Sequence, residues 1–418
     1  MPSIGTMIRV WSGIPTALRL LKVNRKKKTN EKIRIVFICQ LGHLWGCHQT
    51  IYEAALEDEM VEPYILAVPE YWEDAVDTGA AEYLEGLGYP VIRAFDTESR
   101  KFYDLQSLNP DYVFLPRPYD HYLPEQYRGD ALSKYTKVCY LCYGYTCEDD
   151  HMIETCFTKY FTTNCYMIFP ENDSTRAFSY TQHPISARLG IRHIIQTPFP
   201  RFDLMNRYKN VEAKHWLKPR EDVNKRVIWT PRWTLTEELG ASSFFKYKEF
   251  MFDFAAKHVD SEFLLRPHPL AFDNFLKTGK MTAEEIDAYK QKCQDMPNVQ
   301  LDRRKEYLDS FATADILVSD LSGVVVDFAV TGKPIIYCTP EQKFNKSCEK
   351  LKDSYYVVHN QQELEETLEM LIAGQDPKKE DRERAVKEVL GTCDGKNGWR
   401  ILQYIKTDCE NCGKYTKR

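Results

Sequence analysis

Short apolar runs of strand length alternate with helix-like stretches along most of the chain. The first run, Ile33 to Gln40, is almost continuously apolar, as is typical of a strand buried on both faces of a sheet. Gly42 ends it, and a helix-like stretch follows from His43 to Asp58. Repetition of this order implies right-handed crossovers and parallel sheets. The sequence therefore predicts a doubly wound α/β protein.

The predicted strands form two consecutive series, separated by a charged stretch with three prolines from Pro198 to Lys225, the predicted linker. A chain of 418 residues is also longer than one hydrophobic core usually supports. Two such domains with a cleft between them are the plan of the GT-B fold. The predicted strands are Ile33–Gln40, Tyr64–Val68, Pro90–Phe95, Asp111–Leu115, Lys137–Tyr143 and Arg192–Thr197, then Val227–Trp229, Glu262–Arg266, Val299–Leu301, Ile316–Ser319 and Pro334–Cys338.

A polar turn at the end of one predicted strand of the second series is typical of an anion site. Ser319, Asp320, Ser322 and Gly323 lie between that strand and the next helix, where free backbone N–H groups and the helix dipole favour negative charge. The alternative is that Ser319 or Asp320 simply caps the helix. Asp327, one turn into the helix, could face a ribose or be a solvated helix residue.

Two further strand ends of the second series carry basic residues. His268 lies between two prolines in RPHP, so its loop is stiff, and Arg266 precedes it. Both could neutralise charge that develops on a leaving phosphate. Arg232 of WTPRWT can make bidentate phosphate contacts, whereas its neighbour Trp233 more simply fills the core.

The first series has one polar segment at a strand end, YGYTCEDD, which runs from Tyr143 to Asp150. Its phenols and carboxylates, Tyr143 and Asp149 among them, are candidates for a general base, and the alternative is an ordinary polar turn. His43, near the end of the first strand, is a further candidate. His48, on the helix that follows, is interpreted as structural.

The N-terminus differs from the rest of the chain. Apolar residues recur there at helical spacing, basic residues interleave, and a basic block follows. Such a helix can lie in a membrane interface, and the alternative is a helix packed on the protein body. The residues are Ile8, Trp11, Ile14, Leu18 and Leu21, then Arg9, Arg19 and Lys22, and the block Arg25 to Lys28.

Composition limits the classes of partner and the compartment. The net charge of −5 gives no reason to expect nucleic-acid binding. Several of the thirteen cysteines lie in apolar runs, which favours a reduced, cytoplasmic protein. We see no signal peptide and no apolar run long enough for a membrane span.

In order and spacing these stretches resemble the CDP-glycerol glycerophosphotransferase family, the enzymes that build teichoic acids and related capsule polymers. The resemblance covers about Ile33 to Ile405. It is carried by WTPRWT, RPHP, SDLSGVVVDFAVTGKPIIY, the turn PRFD at Pro200 to Asp203, and DGKNGWRIL at Asp394 to Leu402.

The resemblance implies a GT-B fold and a cytosolic enzyme on the inner face of the cell membrane. It implies transfer of glycerol phosphate or ribitol phosphate from a CDP-linked donor to a polymer or lipid-linked acceptor hydroxyl, with release of CMP and with no cofactor or obligatory metal. His268 matches the diphosphate-contacting histidine, and Ser319 to Gly323 match the phosphate-binding turn. The donor-binding set is then Arg232, Arg266, His268, Ser319, Asp320, Ser322, Gly323 and Asp327, and the catalytic set is His268, Tyr143, Asp149 and His43.

These assignments divide the chain into four predicted parts. Residues 1–30 are the basic amphipathic segment, 31–205 the acceptor-side domain, 206–390 the nucleotide-donor-binding domain, and 391–418 a closing helix and tail.

One departure from the family concerns the base. The family's first domain usually has His-Gly-Thr, whose histidine is taken as the base that activates the acceptor, and this chain has Tyr143-Gly144-Tyr145-Thr146. A phenol, with an ordinary pKa near 10, is a poor base at neutral pH, and nearby carboxylates raise that pKa further. Either a carboxylate or His43 is then the base, or this chain uses a different acceptor chemistry. Two alternatives stay open: a GT-B sugar transferase or sugar-nucleotide epimerase that uses the same turn, and a non-catalytic relative that binds CDP-type ligands.

Overall fold

The computed structural model describes residues 15–24, 31–71, 74–208, 215–236, 242–304 and 306–411. The chain divides into two compact units. The first unit comprises Met1–Thr146, Asp150–Asp203 and Asp394–Arg418, and the second comprises Cys147–Asp149 and Leu204–Cys393. Each contains one parallel sheet.

The sheet of the first unit has seven strands. All of its strand pairs are parallel, in the order β11-β10-β9-β8-β1-β2-β5, while β3 pairs with β4 and β6 with β7 in short antiparallel ribbons. The strands are β1 (Ile33–Cys39), β2 (Val61–Ala67), β3 (Glu70–Tyr71), β4 (Ala75–Val76), β5 (Val91–Arg93), β6 (Phe95–Asp96), β7 (Lys101–Phe102), β8 (Tyr112–Leu115), β9 (Lys137–Leu141), β10 (Met167–Phe169) and β11 (His193–Ile194).

Helices pack on this sheet, and its central strands β8 and β9 are buried along their whole length, as expected for strands covered on both faces. The helices of this part of the chain are α1 (described over 15–23), α2 (Gln49–Leu56), α3 (Ala80–Gly86), α4 (Gly129–Leu132), α5 (Asp150–Cys156), α6 (Lys159–Thr162), α7 (Asp173–Gln182), α8 (Pro184–Arg188) and α9 (Phe202–Tyr208).

The sheet of the second unit has six parallel strands in the order β14-β13-β12-β15-β16-β17. Its strands are β12 (Arg226–Thr230), β13 (Glu262–Leu265), β14 (Val299–Leu301), β15 (Ile316–Ser319), β16 (Ile335–Tyr337) and β17 (Tyr356–Val357). The remaining helices of the chain are α10 (Phe244–Lys257), α11 (Ala271–Lys277), α12 (Ala283–Asp295), α13 (Leu308–Thr313), α14 (Gly323–Ala329), α15 (Glu349–Asp353), α16 (Gln361–Ile372), α17 (Lys379–Val389) and α18 (Asn397–Glu410).

Every strand predicted from the sequence is present, within a few residues at its ends. Two strands of the parallel sheets, β10 and β17, were not predicted, and neither were the two-residue strands β3, β4, β6 and β7 of the ribbons. Runs of two or three residues are too short to produce a periodic signal. The stretch predicted as one helix from His43 to Asp58 is instead a 3-10 turn, Gly42–Cys47, followed by α2. The charged stretch predicted as linker contains α9.

The closing helix α18 returns to the first unit, where two of the segments that carry the family resemblance meet. The carboxylate of Asp203, in PRFD, accepts the backbone N–H of Gly398, in DGKNGWRIL, at 2.9 Å. A Cβ on Gly398 would lie 2.4 Å from the carbonyl carbon of Thr50 on α2, so only glycine allows this approach. At the other end of α18, Asp408 pairs with the buried Lys137 at 2.6 Å.

The described part of the N-terminal helix packs on the first unit. Leu20 is buried, and the guanidinium of Arg19 donates to Asn164 at 3.3 Å, while Leu18 is exposed. The other residues of the predicted amphipathic segment, 1–14 and 25–30, lie outside the described residues. Within the described part of the chain, no helix has the length and apolarity needed to cross a bilayer.

Candidate functional site

Three loops singled out in the second unit leave the same edge of its sheet. β13, β12 and β15 are adjacent and parallel, and their carboxyl ends lead into RPHP, WTPRWT and the turn of Ser319 to Gly323. Open α/β sheets bind ligands at this edge. We call it the donor edge.

Hydrogen bonds join these loops to one another. The carboxylate of Asp320 accepts the backbone N–H groups of Arg232 at 2.8 Å and of Ser243 at 2.9 Å. The backbone N–H of His268 donates to the carbonyl of Pro231 at 3.1 Å. The relative positions of the loops are therefore fixed by contacts within the second unit.

Burial divides the predicted phosphate-binding turn into two halves. Ser319 and Asp320 are fully buried, and the hydroxyl of Ser319 lies 2.7 Å from that of Thr230. Burial raises the pKa of Asp320, although hydrogen bonds from Ser243 and Arg232 oppose the shift. We therefore reinterpret these two predicted donor ligands as residues that hold the loops in position.

Ser322 and Gly323 form the accessible half of the turn, and both are partly exposed. Ser322 is the N-cap residue of α14, in extended backbone, and its side chain makes no capping hydrogen bond. Neither Ser319 nor Asp320 caps the helix, so the alternative interpretation of this turn does not apply.

Arg266 and Asp327 are held by partners within the unit. Arg266 pairs with Asp302 at 2.7 Å and also donates to the carbonyl of Arg304. Asp327 is buried and accepts a hydrogen bond from the phenol of Tyr307, so it is not a solvated helix residue. Both side chains are therefore engaged by other residues of the second unit.

Arg232 and His268 are partly exposed basic side chains at this edge, as is the ion-paired Arg266. Among the described residues, Arg232 has no ion-pair partner within 4.0 Å. The Nδ1 of His268 accepts the backbone N–H of Leu270 at 3.2 Å, so the neutral ring carries its proton on Nε2. Nε2 is thus a hydrogen-bond donor, which suits a phosphate oxygen. Trp233 packs against the core, as expected.

Tyr143 is the predicted catalytic residue that follows β9 in the first unit. Tyr143 lies two residues beyond β9 and is half-buried, and its phenol oxygen is 3.3 Å from that of Tyr119. Burial, with smaller contributions from neighbouring thiols, raises the pKa of Tyr143 well above that of an ordinary phenol. This direction makes the residue still less suited to act as a base.

The other two catalytic candidates, Asp149 and His43, are exposed. Asp149 belongs to the short piece Cys147–Asp149 of the second unit, so the YGYTCEDD segment is divided between the two units. His43 lies in the 3-10 turn after β1. His48 is buried against the rings of Phe37 and Phe114, and burial lowers its pKa to about 4, which agrees with its structural interpretation.

Sequence reasoning missed Glu171, which follows the unpredicted strand β10. Its carboxylate accepts the backbone N–H of Thr146 at 2.9 Å, and the amide of Asn172 donates to the carbonyl of Thr146 at 2.9 Å. Both backbone groups of Thr146 are thereby fixed, five residues beyond the end of β9 at Leu141. Burial raises the pKa of Glu171 to about 8.

It also missed the loop after β8, where Arg117, Tyr119, His121 and Tyr122 lie in the run PRPYDHYLP. The signal was present, because a strand followed by proline-flanked basic residues is the same pattern that singled out His268.

Among the described residues no group of three or more His, Cys, Asp or Glu side chains could hold a metal ion.

Comparison with known proteins assigns the family. The model of the family described as CDP-glycerol:poly(glycerophosphate) glycerophosphotransferase matches residues 144–407, more than half of the chain. The chain belongs to this family. The predicted family and the predicted class of enzyme, a phosphotransferase of the CDP-glycerol glycerophosphotransferase type, are confirmed. Tyr143 immediately precedes the matched range.

Individual relatives agree with the assignment. The chain is 24% identical over 365 residues to a teichoic acid poly(glycerol phosphate) polymerase of Bacillus spizizenii. The aligned region covers 84% of this chain and 82% of the relative. A solved structure of the wall teichoic acid polymerase TagF covers 99% of this chain and 100% of that chain, at a TM-score of 0.54 and 14% identity.

A third similarity concerns the fold alone. UDP-GlcNAc 2-epimerase from Neisseria meningitidis covers 90% of this chain and 100% of that chain, at a TM-score of 0.59 and 12% identity. Together with the two parallel sheets, these likenesses confirm the predicted GT-B fold. Because polymerases and epimerases share it, fold does not decide between the activities, and the family match carries that distinction.

Proposed function

We propose that this protein transfers glycerol phosphate from CDP-glycerol to a hydroxyl of a polymer or lipid-linked acceptor in cell-wall polymer synthesis, and releases CMP. The observation that carries the proposal is the meeting of the family's segments at the donor edge, where Arg232 and His268 are partly exposed beside the turn of Ser322 and Gly323.

In the proposed reaction the acceptor oxygen attacks the β-phosphorus of the donor. The new P–O bond forms as the bond from that phosphorus to the oxygen of CMP breaks, and the acceptor proton passes to a base. Arg232 and the Nε2–H of His268 stabilise the charge that moves onto CMP, because fixed donors need no reorganisation during the reaction. Ser322 and Gly323 bind the diphosphate at the start of α14.

The base is proposed to be Asp149 or His43. Both are exposed, whereas burial raises the pKa of the phenol of Tyr143. We further propose that the reaction needs no metal ion, because the guanidinium of Arg232 and the imidazole of His268 supply donors to the departing phosphate.

The test is a CMP-release assay with a panel of donors: CDP-glycerol, CDP-ribitol and several UDP-sugars. Each donor is incubated with a synthetic oligo(glycerol phosphate) acceptor, with and without EDTA. We expect CMP release from CDP-glycerol that EDTA does not abolish. Release from CDP-ribitol alone would change the polyol, and release of UDP from a sugar nucleotide would favour a glycosyltransferase or epimerase. Binding of CDP-glycerol without turnover would favour a non-catalytic relative.

We also propose that the N-terminal basic segment attaches the protein to the inner face of the cell membrane. In support, Leu18 is exposed on α1, and the block Arg25 to Lys28 follows at once in the sequence. Leu20 of the same helix is buried, so α1 packs on the first unit. Replacing the four basic residues with glutamine should abolish co-sedimentation with phosphatidylglycerol vesicles, and undiminished co-sedimentation would contradict the proposal.

A further inference from the structure

Four rings lie together at the carboxyl edge of the first unit's sheet, in loops that follow β8 and β9. We call them the ring cluster: Tyr119, His121, Tyr122 and Tyr143. The ring of Tyr119 is 5.9 Å from that of Tyr122, 6.2 Å from that of His121 and 6.3 Å from that of Tyr143. His121 and Tyr122 are closest, with ring centroids 4.1 Å apart.

An ion pair of the buried Arg117 supports the cluster. The guanidinium of Arg117 lies 4.8 Å from the ring centroid of Tyr122 and pairs with Glu70 at 2.7 Å. Gln40, one residue past β1, accepts a hydrogen bond from Arg117 at 3.1 Å and donates to the carbonyl of Tyr122 at 2.8 Å. Gln40 thus holds the backbone of Tyr122, and Arg117 packs on its ring.

The ring cluster is accessible, unlike the tyrosines of the core. His121 is exposed, and the other three rings are partly exposed, whereas Tyr127 and Tyr140 nearby are fully buried. Packing alone does not require aromatic rings at the solvent side of a sheet edge. Rings that keep polar atoms at their tips pack against the C–H groups of a ligand and hydrogen-bond its hydroxyls.

The chemistry of the cluster matches a phosphodiester-linked polyol. Its phenols suit the hydroxyls of such a chain, its ring faces suit the carbon backbone, and the His121 imidazole can bind a phosphate oxygen. We propose that the ring cluster is the subsite that holds the end of the acceptor chain. The inference rests on the proposed function, and it assigns the acceptor to three residues outside the sequence-predicted site, Tyr119, His121 and Tyr122, together with Tyr143.

The experiment compares two variants with a control at saturating CDP-glycerol. His121→Ala removes the exposed imidazole, and Tyr119→Phe removes one phenol oxygen of the 3.3 Å contact with Tyr143 but keeps the ring. Tyr160→Ala, at a tyrosine that is 81% exposed on α6, is the control for loss of a surface ring. The readouts are the KM for an oligo(glycerol phosphate) acceptor, the KM for the donor, and acceptor binding by calorimetry without donor.

We expect His121→Ala to raise the acceptor KM and Kd about tenfold and Tyr119→Phe to raise them about threefold, with the donor KM unchanged. Unchanged acceptor binding in both variants, or a rise confined to the donor KM, would overturn the inference. Failure of the proposed function has a different signature, because the unaltered protein would then release no CMP from CDP-glycerol. Retained circular dichroism and melting temperature exclude misfolding of the variants.

Discussion

At the donor edge of the second unit, the buried carboxylate of Asp320 accepts the backbone N–H groups of Arg232 and Ser243. At the corresponding edge of the first unit, the buried carboxylate of Glu171 accepts the backbone N–H of Thr146. Each sheet thus uses a carboxylate just beyond a strand to fix the loop after the neighbouring strand. The pKa of each is raised by burial, and for Asp320 the charge of Arg232 opposes the shift.

The two edges differ in how their exposed groups relate to the family pattern. At the donor edge the accessible side chains include Arg232 and His268, which lie in segments that resemble the family. At the first unit's edge Tyr143 replaces the expected histidine, and the accessible groups come from a loop without a family motif. We infer that the donor edge is assembled from loops that each carry a family motif, whereas the acceptor surface includes a loop that carries none.

The largest expected effect concerns Glu171 and pH. Its pKa is about 8 in the folded chain against 4.5 for an ordinary glutamate, so as pH rises from 4.5 the unfolded chain loses this proton before the folded chain does. The free energy of unfolding should therefore fall between these pH values, by on the order of 4 kcal/mol from this group. Glu171→Gln should lose this dependence, as measured by urea unfolding at pH 5 and pH 9.

The matched control is Glu154→Gln, at an exposed glutamate on α5, which should keep the pH dependence of the unaltered protein. If Glu171→Gln and Glu154→Gln gave the same profile, the carboxylate of Glu171 would not be buried in the way described. The two edges would then no longer share a buried carboxylate that fixes the loop after the neighbouring strand.

The next effect concerns the donor edge. His268→Ala should lower kcat for CMP release by about 10²- to 10³-fold, because it removes a fixed hydrogen-bond donor to the departing phosphate. His359→Ala, at an exposed histidine in the second unit, should leave kcat unchanged. A near-normal kcat for His268→Ala would remove the histidine from the donor site and leave Arg232 as its main cation.

Much of the donor edge could be predicted from the sequence, because each element there is a strand with a clear apolar run followed by a polar turn. The sequence could not predict which turn residues face inward. The buried carboxylate of Asp320 accepts the backbone N–H of Ser243, which lies 77 residues before it in sequence, and Arg266 pairs with Asp302. Such pairings depend on how the chain folds back on itself.

The first unit's edge could be predicted less well. β10 has three residues and no periodic pattern, so Glu171 at its end was not recognised. The ring cluster does have a local signal in the run PRPYDHYLP after β8, and the same rule that selected His268 would have selected Arg117, which lies between two prolines beside the cluster. The fold class was predictable from the alternating pattern, since that pattern extends over the whole chain.

The smallest expected effect concerns Tyr143, the residue at which the first unit's edge departs from the family pattern. Tyr143→Phe should leave kcat at saturating acceptor within about twofold, because a phenol whose pKa is raised by burial does not accept the acceptor proton at neutral pH. The variant keeps the ring and removes the 3.3 Å contact with the phenol of Tyr119. The measurement is CMP release from pH 6 to pH 9. A loss above about 100-fold, at the size expected for a general base, would make Tyr143 the base despite its burial. Position 143 would then do the work of the family's histidine, and the first unit's edge would follow the family pattern as the donor edge does.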